Sequence, residues 1–151
     1  MKKNKQGFTL IELLVVIAII GLLATLSVVA LNTARVKARD AKRLSDIRQI
    51  QTALELHFNA KSLYPVAATA IVIGSTTQYN ICEDTGVTTS ACTAGKLLIT
   101  VPKNPTPVDG STCSGNEYKY TSADGKTYTL NYCLSSSTTG VIATASPSGI
   151  Q

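Results

Sequence analysis

Glu12 is the only charged residue between Phe8 and Leu31, and the 24 residues of that stretch are otherwise apolar or uncharged. A carboxylate placed there has no histidine, cysteine or second acid beside it with which to do acid–base or nucleophilic chemistry. What it offers is electrostatic. An ionisable group within a membrane-length apolar segment is costly and is usually kept for function. A positive group brought to it in an apolar setting compensates the charge and fixes the register of the two partners. The remaining candidates for chemistry are few. The lone histidine, His57, has no second histidine to share a ligand or base role, and reads as a packing or surface residue. The four cysteines, Cys82, Cys92, Cys113 and Cys133, have spacings that match no zinc site. No Ser/His/Asp set, glycine-rich phosphate loop or metal-ligand cluster stands out. The chain reads as no enzyme, with no catalytic, metal or cofactor residues.

The element that positions Glu12 is a long helix. A helix over residues 8–31 is about 36 Å long at ~1.5 Å rise per residue, enough to cross a hydrocarbon core of about 30 Å with some tilt. Lys2, Lys3 and Lys5 precede it, which places the N-terminus in the cytoplasm by the positive-inside rule. The apolar run is longer than a secretory h-region, carries a charge near its start and has no small-x-small cleavage site at its end. There is no proline before Pro65 and no glycine between Gly21 and Gly74, so the helix is expected to continue to Lys61. Leu44, Ile47, Ile50, Leu54 and Phe58 recur at steps of three and four and define one apolar face.

The leader Met1-Lys2-Lys3-Asn4-Lys5-Gln6-Gly7, followed by Phe8-Thr9-Leu10-Ile11-Glu12 and the apolar helix, resembles the type IV prepilins and type II secretion pseudopilins. The resemblance covers about residues 1–60. It implies that a membrane prepilin peptidase/methyltransferase cuts between Gly7 and Phe8 and methylates Phe8 at nitrogen. It makes Glu12 the acidic residue whose carboxylate meets the Phe8 amine of a neighbouring subunit. It implies a homo-oligomeric filament, an inner-membrane assembly platform as partner and membrane lipid as the surroundings before assembly. Many members carry a proline partway along the helix, and this chain has none there. If a central stretch melts on assembly, residues 21–31 are the place, since Gly21, Thr25 and Ser27 lower helix propensity. In the secretion pseudopilins an aspartate often precedes a proline near a calcium site. Asn104 holds that place before Pro105, so calcium is not assigned, and Asp109 and Asp124 are only weak candidates.

Charge narrows the partners further. The formal net charge is +5, from 14 basic and 9 acidic residues. Removing Lys2, Lys3 and Lys5 leaves 11 basic residues against the same 9, so much of the excess belongs to the leader. The cluster from Arg35 to Arg48, with Asp40 and Asp46 among its cations, reads as a solvated helix face with subunit contacts. Lys42 and Asp46 form an i,i+4 pair within it. Contact with anionic lipid or with nucleic acid is the lesser reading, and no interleaved aromatics support a nucleic-acid groove.

Beyond Tyr64-Pro65, which ends the helix, a head over residues 62–151 is expected. Residues 70–73 are a short apolar run of either strand or helix, 76–82 an extended piece, 83–91 a polar turn region and 96–101 another apolar run. Asp124-Gly125 between residues 117–121 and 126–134 is a hairpin signal. Alternation puts Tyr118 and Tyr120 on one face of the first strand, and Tyr128, Leu130, Tyr132 and Leu134 on one face of the second. These faces are expected to pack on Ile47, Ile50, Leu54 and Phe58, with the tyrosines in the core rather than in a carbohydrate or electron-transfer stack. Residues 141–144 add a possible further strand. The cysteines all follow the membrane helix, on the oxidising side. Three pairings are open; Cys82–Cys92 with Cys113–Cys133 is favoured, because the first staples the turn-rich loop and the second ties the hairpin to the loop before it.

The expected fold is α+β: a long N-terminal helix, transmembrane in its first half and amphipathic in its second, packed on a small antiparallel head. The expected function is a type IV pilus subunit, supporting adhesion, motility or DNA uptake. A major secretion pseudopilin is the alternative, and an anchored extracytoplasmic binding domain that never polymerises is the third reading. The expected location is the cytoplasmic membrane as a single-pass precursor, then an extracellular filament.

Overall fold

The structure is a computed structural model of the chain, and it describes residues 7–74, 77, 79–106, 117–134, 141–147 and 149–150. One helix, α1, runs Leu10–Lys61. Two compact units divide the chain, Met1–Arg35 and Val36–Gln151. In the first unit the apolar side chains of α1 are exposed from Leu10 through Leu31. Three hydroxyls within or just beyond this stretch donate to carbonyls of their own helix: Thr25 to Leu22 at 2.8 Å, Ser27 to Leu23 at 2.8 Å and Thr33 to Val29 at 3.2 Å. Their polar groups are therefore satisfied inside the helix, as an apolar surrounding requires.

The second unit is an α+β head. After α1 come β1 (Ala67–Val72), β2 (Asn80–Cys82), β3 (Gly86–Thr88), β4 (Leu97–Thr100), β5 (Lys119–Ser122), β6 (Thr129–Leu134), β7 (Val141–Ser146) and β8 (Gly149–Ile150). They make a five-stranded sheet in the order β1-β5-β6-β7-β8 and a three-stranded sheet in the order β3-β2-β4. Every pairing is antiparallel. The core is the helix face expected from spacing. Ile47, Ile50 and Leu54 are fully buried in one cluster with Tyr118, Tyr120, Tyr128, Leu130 and Tyr132, and Leu44 and Phe58 pack at its edge. Each fully buried aliphatic side chain contributes about 1.5–3 kcal/mol. Phe58 stacks on Tyr64 at 4.7 Å between ring centres, and Tyr64 meets Tyr128 edge-on at 4.8 Å.

The helix stops through its backbone before Pro65 is reached. Ser62 takes a left-handed conformation with φ of 60°, and its N–H donates to the Phe58 carbonyl at 2.6 Å. Non-glycine residues pay for that conformation. Ser62→Gly is therefore expected to stabilise the head by about 1 kcal/mol, read as a higher denaturation midpoint; an unchanged or lower midpoint contradicts this view of the helix end.

Several local expectations change. Residues 83–91 are not turn alone, since β3 lies within them and pairs with β2 across the reversal at residues 83–85. The second hairpin strand begins at Thr129 rather than Lys126, because the Thr127 carbonyl accepts the Ser122 hydroxyl at 2.7 Å. Gly125 has φ of 72°, and a side chain there would meet the Tyr64 carbonyl at 3.0 Å. Gly74 lies under the Tyr118 ring, where a Cβ would come within 2.5 Å of it.

The largest correction concerns the charged stretch of the helix. Asp40, Arg43 and Asp46 are buried, not solvated. Arg43 donates from Nη1 to Asp40 Oδ1 at 2.7 Å, from Nε to Asn104 Oδ1 at 3.0 Å and from Nη2 to the Pro105 carbonyl at 3.3 Å. Asp46 accepts the Tyr118 hydroxyl at 2.9 Å and faces the Lys42 ammonium at 3.6 Å. Burial, followed by the Asp46 charge, pushes the Tyr118 phenol well above its ordinary pKa. Arg43 thus clamps the proline-rich segment 102–106 to the helix.

Candidate functional site

The candidate site is the start of α1. Thr9 caps the helix. Its N–H donates to Glu12 Oε2 at 2.8 Å, its hydroxyl donates to the same oxygen at 2.6 Å, and the Glu12 N–H donates to Thr9 Oγ1 at 3.3 Å. This is a capping box, two residues each satisfying the other's free N–H. It folds the Glu12 carboxylate back over the Phe8–Thr9 junction. Phe8 is 84% exposed and precedes the helix. The expected scissile bond between Gly7 and Phe8 therefore lies in non-helical chain just ahead of the cap. Sequence reasoning named Gly7, Phe8 and Glu12, and missed Thr9. The signal was present as a threonine followed three residues later by a glutamate.

The surface that follows is apolar all round the helix, and α1 is long and apolar enough to cross a membrane. A Cβ built on Gly21 meets nothing within 4 Å. Among the described residues no close approach requires glycine there.

The other candidates are spread through the head. His57 is buried, with Nδ1 2.9 Å from the Cys82 carbonyl, so Nδ1 carries the proton it donates. Cys82 and Cys92 form a disulfide. Cys133 is not a free thiol, and its favoured partner Cys113 lies outside the described residues. Asp84 lies close to the Cys82 and Cys92 sulfurs. Both sulfurs are in the disulfide, so that trio offers no thiolate for a metal. Asp109 lies outside the described residues. Asp124 accepts the Lys126 N–H at 3.0 Å within its turn.

Asp84 instead organises the stapled loop. It accepts the Ala94 N–H at 2.7 Å, and this bond is the main reason its pKa falls from 3.8 to about 2. A carboxylate with a lowered folded-state pKa stabilises the fold above its unfolded pKa, and that contribution is lost as pH falls through the folded value. The Asp84–Ala94 contact is therefore expected to weaken between about pH 4 and about pH 2. Hydrogen exchange at the Ala94 amide should rise across that window beyond its intrinsic rate. Protection unchanged down to the lower limit contradicts the anchoring role.

Comparison with known proteins bears on the N-terminal site first. The family described as the prokaryotic N-terminal methylation motif matches residues 2–28. Type II secretion system core protein G of Aeromonas hydrophila is 41% identical over 64 residues, which are 42% of this chain and 45% of that protein. Core protein G of Vibrio cholerae is 29% identical over 128 residues, 83% of this chain and 78% of that protein. The type IV major fimbrial protein FimA of Dichelobacter nodosus is 38% identical over 55 residues, 36% of this chain and 35% of that protein. The chain spans less than half the length of the Aeromonas relative. No solved structure matches.

Proposed function

We propose that this chain, which by its methylation motif and its relatives is of the type IV pilin and type II secretion pseudopilin family, is the structural subunit of a helical filament drawn from a membrane. The precursor sits in the cytoplasmic membrane with Lys2, Lys3 and Lys5 on the cytoplasmic side. The peptidase cuts after Gly7, the new Phe8 amine is methylated, and subunits pack through residues 8–31 with their heads outside. The observation that carries this reading is the apolar surface of α1, exposed along Leu10 to Leu31 and opened by one carboxylate held beside Phe8. In lipid such a helix has no hydrophobic drive to associate, so packing and polar pairing must select its neighbours. The Phe8 amine of one subunit meeting the Glu12 carboxylate of the next supplies that selection.

The reading adopted is a type IV pilus subunit with an exported head stapled by disulfides. The relatives named as structural components of pili and secretion systems fit a polymeric role rather than an enzymatic one. One observation favours a secretion pseudopilin: the similarity to the Vibrio core protein G extends through most of the chain, whereas that to the fimbrial protein covers 55 residues. Fractionation of native cells decides between them. A pilus subunit is recovered in the fraction sheared from the cell surface. A pseudopilin is processed but stays with the envelope. A chain that stays uncut in the membrane overturns both readings in favour of an anchored domain.

A further inference from the structure

Folding changes the charge that α1 shows beyond its apolar stretch. By sequence, residues 35–48 mix six cations with two acids. In the structure both acids are withdrawn from the surface. Asp40 is buried and accepts from Arg43, itself fully buried, and Asp46 is buried and accepts the Tyr118 hydroxyl. No other acid lies between Glu12 and Glu55. Lys42 is exposed, but its ammonium stays 3.6 Å from Asp46. Arg35 and Lys37 are exposed and make no ion pair among the described residues. They are the first two charges after Glu12. With the acids withdrawn, contact with anionic lipid, the lesser expectation from sequence, becomes the better one.

The place of the two cations decides what they meet. At ~1.5 Å rise per residue, Arg35 lies about 6 Å and Lys37 about 9 Å beyond Leu31. The headgroup layer of a bilayer extends roughly 5–7 Å past its hydrocarbon core. Helical side chains lean towards the N-terminus, here back towards the membrane, and long basic side chains reach along an apolar surface to a polar layer. Residues two apart on a helix stand about 200° apart, on nearly opposite sides. A second copy packed along one side meets one of these cations, whereas lipid surrounds the helix and meets both. A zwitterionic headgroup offsets its phosphate with its own ammonium, so two unpaired cations favour a headgroup with net negative charge. We propose that Arg35 and Lys37 form a site for anionic phospholipid headgroups in the leaflet where α1 leaves the membrane. The site rests on the reading of residues 8–31 as a membrane anchor. Each cation held near an anionic surface raises the local preference about fivefold.

The test uses the full-length chain in neutral phosphatidylcholine bicelles. These carry a trace of phosphatidylglycerol, or of phosphatidylcholine, spin-labelled at the top of the acyl chain. Broadening of amide NMR signals then reads which lipid sits beside each residue. Labelled phosphatidylcholine is expected to broaden amides at both ends of residues 8–31, which tests the anchor by itself. Labelled phosphatidylglycerol is expected to broaden residues 34–38 about fivefold or more beyond labelled phosphatidylcholine. Arg35→Gln combined with Lys37→Gln should bring the two labels to parity there. Equal broadening in the unsubstituted chain overturns the headgroup site and leaves the anchor standing, as does an excess that survives the double substitution. Signals of residues 34–38 that follow protein concentration instead of lipid charge give the two cations to a second copy and overturn the site. Broadening by neither label along residues 8–31 overturns the anchor, and the headgroup site falls with it.

Discussion

Chains carrying Glu12→Ala are expected to insert and be cut after Gly7, yet to be absent from the sheared filament fraction. Two roles meet in this one carboxylate, and they separate by substitution. As the last member of the capping box it accepts the Thr9 N–H and hydroxyl. As the only charge in residues 8–31, it is, in the filament proposed above, the group that compensates the Phe8 amine of a neighbour. Leaving that amine uncompensated in an apolar filament is the larger penalty, because breaking a buried pair strands a charge. Glu12→Gln keeps an amide oxygen for the cap and removes the charge. It is therefore expected to fail in assembly much as alanine does, while Thr9→Ala, which keeps the charge, still assembles. Immunoblots of sheared and membrane fractions read all three variants. Assembly of the glutamine variant at the wild-type level would assign Glu12 to the cap and remove charge pairing from the account.

The second large effect belongs to Arg43. Arg43→Ala is expected to destabilise the head by about 3–5 kcal/mol, the cost of breaking a buried ion pair. For a unit of this size that corresponds to a fall in Tm of at least about 12 °C. The guanidinium is fully buried, and its loss removes a hydrogen-bond donor from the Asp40 carboxylate, the Asn104 side chain and the Pro105 carbonyl. Replacing both charged partners, as Asp40→Asn with Arg43→Met, should cost less, because neither member of the pair then leaves the other as a buried charge. The near-ultraviolet circular dichroism of the buried tyrosines reports on the head alone in detergent-solubilised chain. A single Arg43→Ala variant that melts with the wild type contradicts the clamp.

These two residues show what was legible in the chain and what was not. Glu12 stood out by isolation, since nothing else charged shares its segment. Ile47, Ile50 and Leu54 were readable because helical spacing alone puts them on one face, and the alternation of Tyr118 with Tyr120 did the same for the sheet. Arg43 lies four residues before Ile47 on that same ladder, and Asp46 four before Ile50. Position placed them inside while charge suggested the surface. Position won because each found a partner far along the chain, the half-buried Asn104 and the buried Tyr118, and no local pattern announces such partners. The pairing of β1 with β5 was hidden for the same reason, since sheet neighbours separated by some fifty residues leave no short-range mark. β3 was hidden because three residues beside a reversal are too few to show alternation.

The central claim is that the chain becomes a filament subunit by losing its leader and gaining a methylated Phe8. The direct measurement is the intact mass of the protein in the fraction sheared from its native cells, taken before and after reduction. The account predicts a chain beginning at Phe8 and one methyl group heavier than its sequence, gaining two hydrogens on reduction for each disulfide. A protein found only in membranes, uncut and beginning at Met1, would contradict it.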